Sequence, residues 1–255
     1  MLLLLLACAD PDPSPDPSCE GLYGAPNENT GLSLGECSPE IGEWTPREWP
    51  VAALTELRGL ELIDAPVALS GDPYLEAAPE REEGVCAVQG EAGRYSLATF
   101  PSARDAQEQG AIPTHGGACG LCSSLEDLQV YARYDDLTQP VRACGLEGFG
   151  EGVEGVQSCL LDLGFTPACA SIWAYNVEHT RAQCQDICIE LLSDPYHADD
   201  GSLNACLQCD EELSGPVFKA LAGRTRRNSG LASALCRPCE SVWRIAHDYG
   251  SISKD

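Results

Sequence analysis

A chain of 255 residues with 44% apolar side chains can bury a sizeable core, which excludes a disordered acidic tail. Forty acidic residues against fifteen basic ones give a formal charge of −25. The surface as a whole lacks the positive field on which phosphate-backbone binding depends, so nucleic acid is excluded as a partner.

The first eighteen residues read MLLLLLACADPDPSPDPS. Leu5, Leu6, Ala7 and Cys8 resemble the lipobox of bacterial lipoproteins. The resemblance is confined to these residues. It implies cleavage of a signal peptide before Cys8, lipidation of the Cys8 thiol, and a mature chain held to the cell envelope, periplasm-facing or surface-exposed, with the membrane as partner through the lipid anchor. Asp10 to Ser18 repeats Asp-Pro and Ser-Pro units, which continue neither a helix nor a central strand. That stretch reads as an extended tether. No run of about 18 apolar residues follows, so no membrane-spanning helix is expected.

From Cys19 to about Ala78 the chain is rich in Gly, Pro and Glu, with weak alternation between Val51 and Leu69, which predicts irregular structure and a short strand or two. VCAVQGEAGRYSLATF then offers two β-prone runs around a Gly-Glu-Ala-Gly turn, a hairpin signal. In PSARDAQEQG, Ser102 and Asp105 are spaced as a capping box and Gly110 as a stop. Ser124 and Asp127 form a second box ahead of Leu125, Leu128 and Tyr131. Val153, Val156, Leu160 and Leu163 keep a helical stripe, and Thr166-Pro167 opens a helix carrying Cys169, Ile172 and Trp173. Cys184, Ile187, Cys188, Leu191 and Leu192 repeat at helical spacing, with both cysteines directed to the core. Pro216 and Gly223 bracket a short helix, and Val242, Ile245, Ala246 and Tyr249 suggest a last one. The expected fold is α+β and predominantly helical. It comprises a leader and tether over 1–18, an irregular region with a β-hairpin over 19–112, and a cysteine-rich helical domain over 113–255.

Beyond Cys8 there are fourteen cysteines, an even number that in an exported chain reads as seven disulfides of undetermined connectivity. The close pairs 119/122, 184/188, 206/209 and 236/239 suit either short clips or cross-links between adjacent helices.

Two segments carry candidate chemistry. Five of the fifteen basic residues, Lys219, Arg224, Arg226, Arg227 and Arg237, fall within 213–239, which holds no acidic residue. With Asn228 and Ser229 they form a candidate loop for a small anionic molecule, a carboxylate, phosphate or sulfate, because Arg presents planar donor forks and the Asn-Ser-Gly turn can converge backbone N–H groups. The alternative is an internal clasp, with these cations spent on the protein's own carboxylates or on helix-end carbonyls.

The second segment is THGGACGLCSSLED, residues 114–127. Cys119 and Cys122 ahead of a helix could form a redox pair, or with His115 supply ligands for zinc or copper. His115 and Asp127 are candidate catalytic groups beside Ser123 and Ser124. DPYHADDGSLN lacks the alternating carboxylates and terminal Glu of a calcium loop and reads as a turn between helices. His179 reads as an interhelical or a pocket-lining side chain. Three classes of function remain at this level: an anion-binding lipoprotein, a secreted enzyme or metal-binding protein centred on residues 115–122, and a purely structural, disulfide-stabilised envelope protein.

Overall fold

The computed structural model describes residues 22–24, 26–37, 49 and 51–252. Cys8, the lipobox and the tether lie outside the described residues. The fold is α+β, helix-dominated and disulfide-rich.

The elements, in chain order, are α1 (Leu34–Cys37), α2 (Val51–Arg58), β1 (Glu61–Leu62), β2 (Val85–Glu91), β3 (Arg94–Phe100), α3 (Ala103–Glu108), β4 (Ile112–Gly116), α4 (Leu125–Arg133), α5 (Thr138–Glu147), α6 (Gly152–Asp162), α7 (Pro167–Glu190), α8 (Ala205–Leu213) and α9 (Gly215–Ala222). The strands form one sheet in the order β1-β3-β2-β4, with β1 parallel to β3 and the other pairs antiparallel.

The predicted hairpin is β2-β3. Glu91 pairs with Arg94, so Ala92 and Gly93 make a two-residue turn, both at positive φ, 52° and 80°. That backbone twist matches the twist of the flanking strands. Alternation sends Ala87 and Phe100 to α3 on one face, while Val88 and Tyr95 join the main helical core on the other. The Tyr95 hydroxyl accepts from Leu125 N at 2.9 Å, tying the sheet to the start of α4.

The three capping signals act as their spacing predicts. Ser102 accepts from Asp105 N, Ser124 from Asp127 N and Thr166 from Cys169 N. Each satisfies a first-turn donor that has no intrahelical partner. The stripes begun at Thr166 and at Cys184 belong to a single 24-residue helix, α7.

Two expectations differ from the structure. Residues 51–58 are helical, and among the described residues of that region the one strand is the two-residue β1. The helix expected over Val242 to Tyr249 does not form, although Val242 and Tyr249 are buried. Trp243 N donates to Arg227 O at 3.0 Å and His247 Nε2 to Ser229 O at 2.7 Å, so this segment is held out along the arginine segment.

Six disulfides lie among the described residues, and Cys239 is disulfide-bonded as well. None of the six joins a close pair. Cys184–Cys209 and Cys188–Cys206 are two rungs between α7 and α8, because cysteines three or four apart share one helix face. Cys144–Cys159 joins α5 to α6, and Cys37–Cys236 ties the N-terminal region to the C-terminal one. This density of disulfides belongs to an exported or extracellular protein. No helix among the described residues is long and apolar enough to cross a membrane.

Candidate functional site

The two segments singled out in the sequence dock against each other. Leu121 N and Cys122 N donate to the last carbonyls of α9, Leu221 O and Ala222 O, both at 2.9 Å. Gly223 turns the chain at φ 72°, and a Cβ on Gly120 would lie 2.4 Å from Leu221 O, so side chains fit at neither position.

That turn drives Arg224 inward. It is fully buried, with all five guanidinium N–H groups engaged. Nε donates to Cys122 O, Nη1 to Thr114 O and Ser229 Oγ, and Nη2 to Thr114 Oγ1 and Ser123 O, at 2.8 to 3.2 Å. Arg226 donates to Ala232 O, Tyr131 O and Tyr134 O. Burial lowers its pKa to about 10, which leaves it charged at neutral pH. Asn228 Nδ2 donates to Gly116 O and Gly223 O, and its Oδ1 accepts from Thr225 N. The anion loop expected over 224–229 is corrected accordingly. Arg224, Arg226, Asn228 and Ser229 are spent on the protein's own backbone and hydroxyls, so the arginine clasp closes on carbonyls and not on carboxylates.

The segment 114–127 is equally internal. Cys119 is bonded to Cys86 and Cys122 to Cys169, so neither offers a thiolate, and the proposed redox pair and zinc or copper ligand set are both corrected. His115 Nδ1 lies 2.9 Å from Gly116 O, a group that only accepts, which fixes the proton there and leaves Nε2 to accept from Ser123 Oγ at 2.6 Å. A serine donating to a histidine is a nucleophile-base geometry. Here, however, both residues are sealed at 0% exposure, and a carbonyl stands where an orienting carboxylate would. Burial, reinforced by Arg224, holds the His115 pKa well below the usual imidazole value.

Asp127, also fully buried, accepts from Ser124 Oγ, Thr166 N and Thr166 Oγ1. Burial pushes its carboxyl up to about 6 against those bonds. It therefore pins the start of α7 to the start of α4. Neither His115 nor Asp127 lines the large cavity of the molecule, and both are corrected from catalytic groups to internal struts. His179 is interhelical, with Nδ1 2.9 Å from Ser214 Oγ and its ring stacked on Tyr74 at 4.2 Å.

That cavity, about 600 Å³, lies along α7 between α5 on one side and α8, α9 and the arginine segment on the other. Its volume falls in the range of small-molecule sites. Trp173, Val177, Thr180, Cys188 and Ile189 line it, one continuous face of α7 at helical spacing. The two disulfide rungs fix the α7-α8 wall.

Four cations stand on the α8-α9 side: Lys219, Arg237, Arg227 and Arg81. Lys219 and Arg237 both pair with Glu211, whose carboxyl stays below its usual pKa range because these cations outweigh its burial. The side chains of Arg81 and Arg227 make no hydrogen bond or ion pair among the described residues, and Arg227 lies within electrostatic reach of Arg237, Arg81 and the Glu211 carboxylate that Lys219 and Arg237 already hold. Partial burial and the neighbouring Arg237 lower the Arg227 pKa. Of the predicted anion ligands the structure thus brings Lys219, Arg226, Arg227 and Arg237 to one cavity, Arg226 with its guanidinium already engaged by carbonyls, while Arg224, Asn228 and Ser229 do not line it. Arg81 was missed. It stands within the acidic run EREEG, where nothing in the local sequence distinguishes it from a solvated charge.

A family model described as a family of unknown function, DUF8771, matches residues 153–245, which include α6 to α9 and Lys219, Arg227 and Arg237. Comparisons with curated proteins and with solved structures give no match.

Proposed function

We propose that this protein is an exported binding module that takes an anionic group beside the α7 cavity, on Arg227 and Arg81 with Arg237 and Lys219 behind them. One observation supports the reading: among the described residues, two guanidiniums with no hydrogen bond or ion pair of their own line a cavity in a chain of charge −25, and the carboxylate within electrostatic reach of Arg227, Glu211, is already held by Lys219 and Arg237. Forty acidic residues are available to such a chain, yet Glu211 already holds two cations and no second carboxylate pairs with Arg81 or Arg227 among the described residues. Arg forks free of internal partners favour carboxylate, phosphate or sulfate.

The lipobox supplies the location. Lipidation at Cys8 and the Pro-rich tether after it would hold the module a short distance off a membrane face. In that setting the binding site works on molecules at or near the envelope.

Thermal melting of the disulfide-intact protein in phosphate, sulfate and acetate tests the site. A ligand at one hundred times its Kd should stabilise by about 2.7 kcal/mol. The double variant Arg81→Ala/Arg227→Ala should melt as the unliganded protein does and lose the response. A melting curve indifferent to every anion would overturn the reading. Lipidation is tested separately, by incorporation of labelled fatty acid that Cys8→Ala abolishes.

A further inference from the structure

Resting on that reading, we infer that the anion is the head group of an extended apolar molecule, an acyl chain carrying a carboxylate or phosphate, laid along α7. The cavity follows one face of α7 from Trp173 to Ile189. At 1.5 Å per residue that is about 24 Å, a groove much longer than any inorganic anion requires.

The wall facing the cations carries a run of large apolar side chains among its polar ones: Leu137 just before α5, Val141 and Leu146 within it, and Trp173, Val177 and Ile189 of α7. At its open edge Leu146, Phe149 and Ile189 are 60%, 66% and 63% exposed, and Leu192 beside them is 43% exposed. Large apolar side chains gathered around one groove mark a surface that an apolar body covers.

The charges along the groove set the orientation. Arg181 donates to Glu178 and to Gly145 O, and its guanidinium lies over the Phe149 ring. Arg142 donates to Leu192 O. Both cations at the apolar edge are therefore engaged, whereas Arg81 and Arg227 on the α8-α9 side make no hydrogen bond or ion pair among the described residues. The head belongs at Arg81 and Arg227, and the chain extends toward Phe149 and Ile189. Because the Cys184–Cys209 and Cys188–Cys206 rungs hold α7 and α8 together without a ligand, little ordering accompanies binding.

The test is titration calorimetry on the disulfide-intact protein with acetate, octanoate, palmitate, hexadecyl phosphate, inorganic phosphate and hexadecanol, the long-chain probes kept below their aggregation limits. Affinity should rise with chain length by up to about fourfold per methylene until the groove is filled. Hexadecanol should bind at least tenfold more weakly than palmitate. Ile189→Gln, an uncharged polar change at the exposed end of the groove, should reduce the gain from chain length far more than it reduces acetate or phosphate binding. The double variant Arg81→Ala/Arg227→Ala should weaken every anion.

Equal affinity for acetate and palmitate would overturn the inference and leave the anion site standing. Binding of none of the probes would overturn the anion site itself. Hexadecanol binding as tightly as palmitate would overturn the assignment of the head group to the two arginines. A preference between palmitate and hexadecyl phosphate distinguishes a carboxylate head from a phosphate one.

Discussion

Arg224 and Arg227 are three residues apart and face opposite environments. Arg224 lies at the centre of the molecule, its charge spread over three carbonyls and two hydroxyls, with no ion pair. Arg227 stands at the cavity, solvated and without a hydrogen-bonding partner for its side chain among the described residues. The difference teaches that a cluster of like charge in sequence is not a unit in space. The positive-φ turn at Gly223 and the short 3-10 turn over Arg227–Ser229 rotate successive side chains into different environments. The inner arginine joins β4, the approach to α4 and the arginine segment; the outer one makes no hydrogen bond or ion pair among the described residues.

Breaking the inner side should have the largest effect. Arg224→Ala withdraws the guanidinium from five buried acceptors, of which Thr114 Oγ1 keeps the Tyr249 hydroxyl as a donor, and should destabilise the protein by more than about 3 kcal/mol, as removing one partner of a buried charged network does. Urea denaturation measures it. Arg224→Lys, with three donors in place of five, should recover part of the loss, and a wild-type midpoint for Arg224→Ala would contradict the account of Arg224 as a strut.

The rung beside the cavity comes next. Replacing Cys188 and Cys206 by Ala removes a cross-link spanning 18 residues and should cost about 3 kcal/mol by loop-closure entropy. The same change should loosen the α7-α8 wall and weaken ligand binding, whereas replacing Cys144 and Cys159, which join α5 and α6, should leave binding closer to wild type.

Acid sharpens the comparison further, because the inner network depends on neutral histidines. His115 is held well below its usual pKa by burial and by Arg224, and His247 is lowered to about 3 mainly by burial. Their unfolded pKa is about 6.5, so their contribution is complete above that value and is lost as pH falls below it, at about 1.4 kcal/mol per pH unit for each. Asp127, raised to about 6, acts in the opposite sense and favours the folded state as pH falls through 6. Stability should therefore begin to fall as pH drops through about 6.5 and keep falling to about 4 at close to the slope of a single histidine, because Asp127 offsets one of the two. Urea midpoints at half-unit intervals from pH 7.5 to 4.5 would reveal the onset and the slope, and a midpoint that rises on acidification from 6.5 to 6 would refute the account.

The outer side should barely register in stability. Arg227→Ala, at an exposed position, should shift unfolding by less than about 0.5 kcal/mol while abolishing most of the response to anions. That separation of stability from binding is the reverse of what Arg224→Ala should give.

The local signals in the sequence were legible because their physics is local. Ser102, Ser124 and Thr166 cap helices through bonds spanning three residues, and Ala92-Gly93 turns a hairpin whose strands follow it directly. The apolar stripe ending in Leu191 and Leu192 predicted a core face, and the structure divides it. Cys184 is buried, whereas Leu192 with its neighbour Ile189 opens to the cavity edge. Hydrophobic spacing fixes which side chains share a helix face and says nothing about what lies opposite them. The segment over Val242 to Tyr249 has helical spacing as well, yet its backbone and side chains bond to residues 227 and 229, and that pairing overrides the pattern.

Cysteine count, capping residues and helical spacing by themselves pointed to a disulfide-rich, helix-dominated fold, since those signals depend on totals and on neighbours within a few residues. Disulfide connectivity, the inward turn of Arg224, the sealing of His115 and Asp127, and the meeting of Arg81 with Arg227 were decided only by the tertiary structure. Each depends on burial and on contacts between segments far apart in the chain: Arg224 bonds to residues 101 to 110 positions away, and Arg81 comes to the same cavity as Arg227 from the loop before β2. Desolvation and long-range packing, which no local pattern encodes, determine whether a charged side chain becomes a strut or a site.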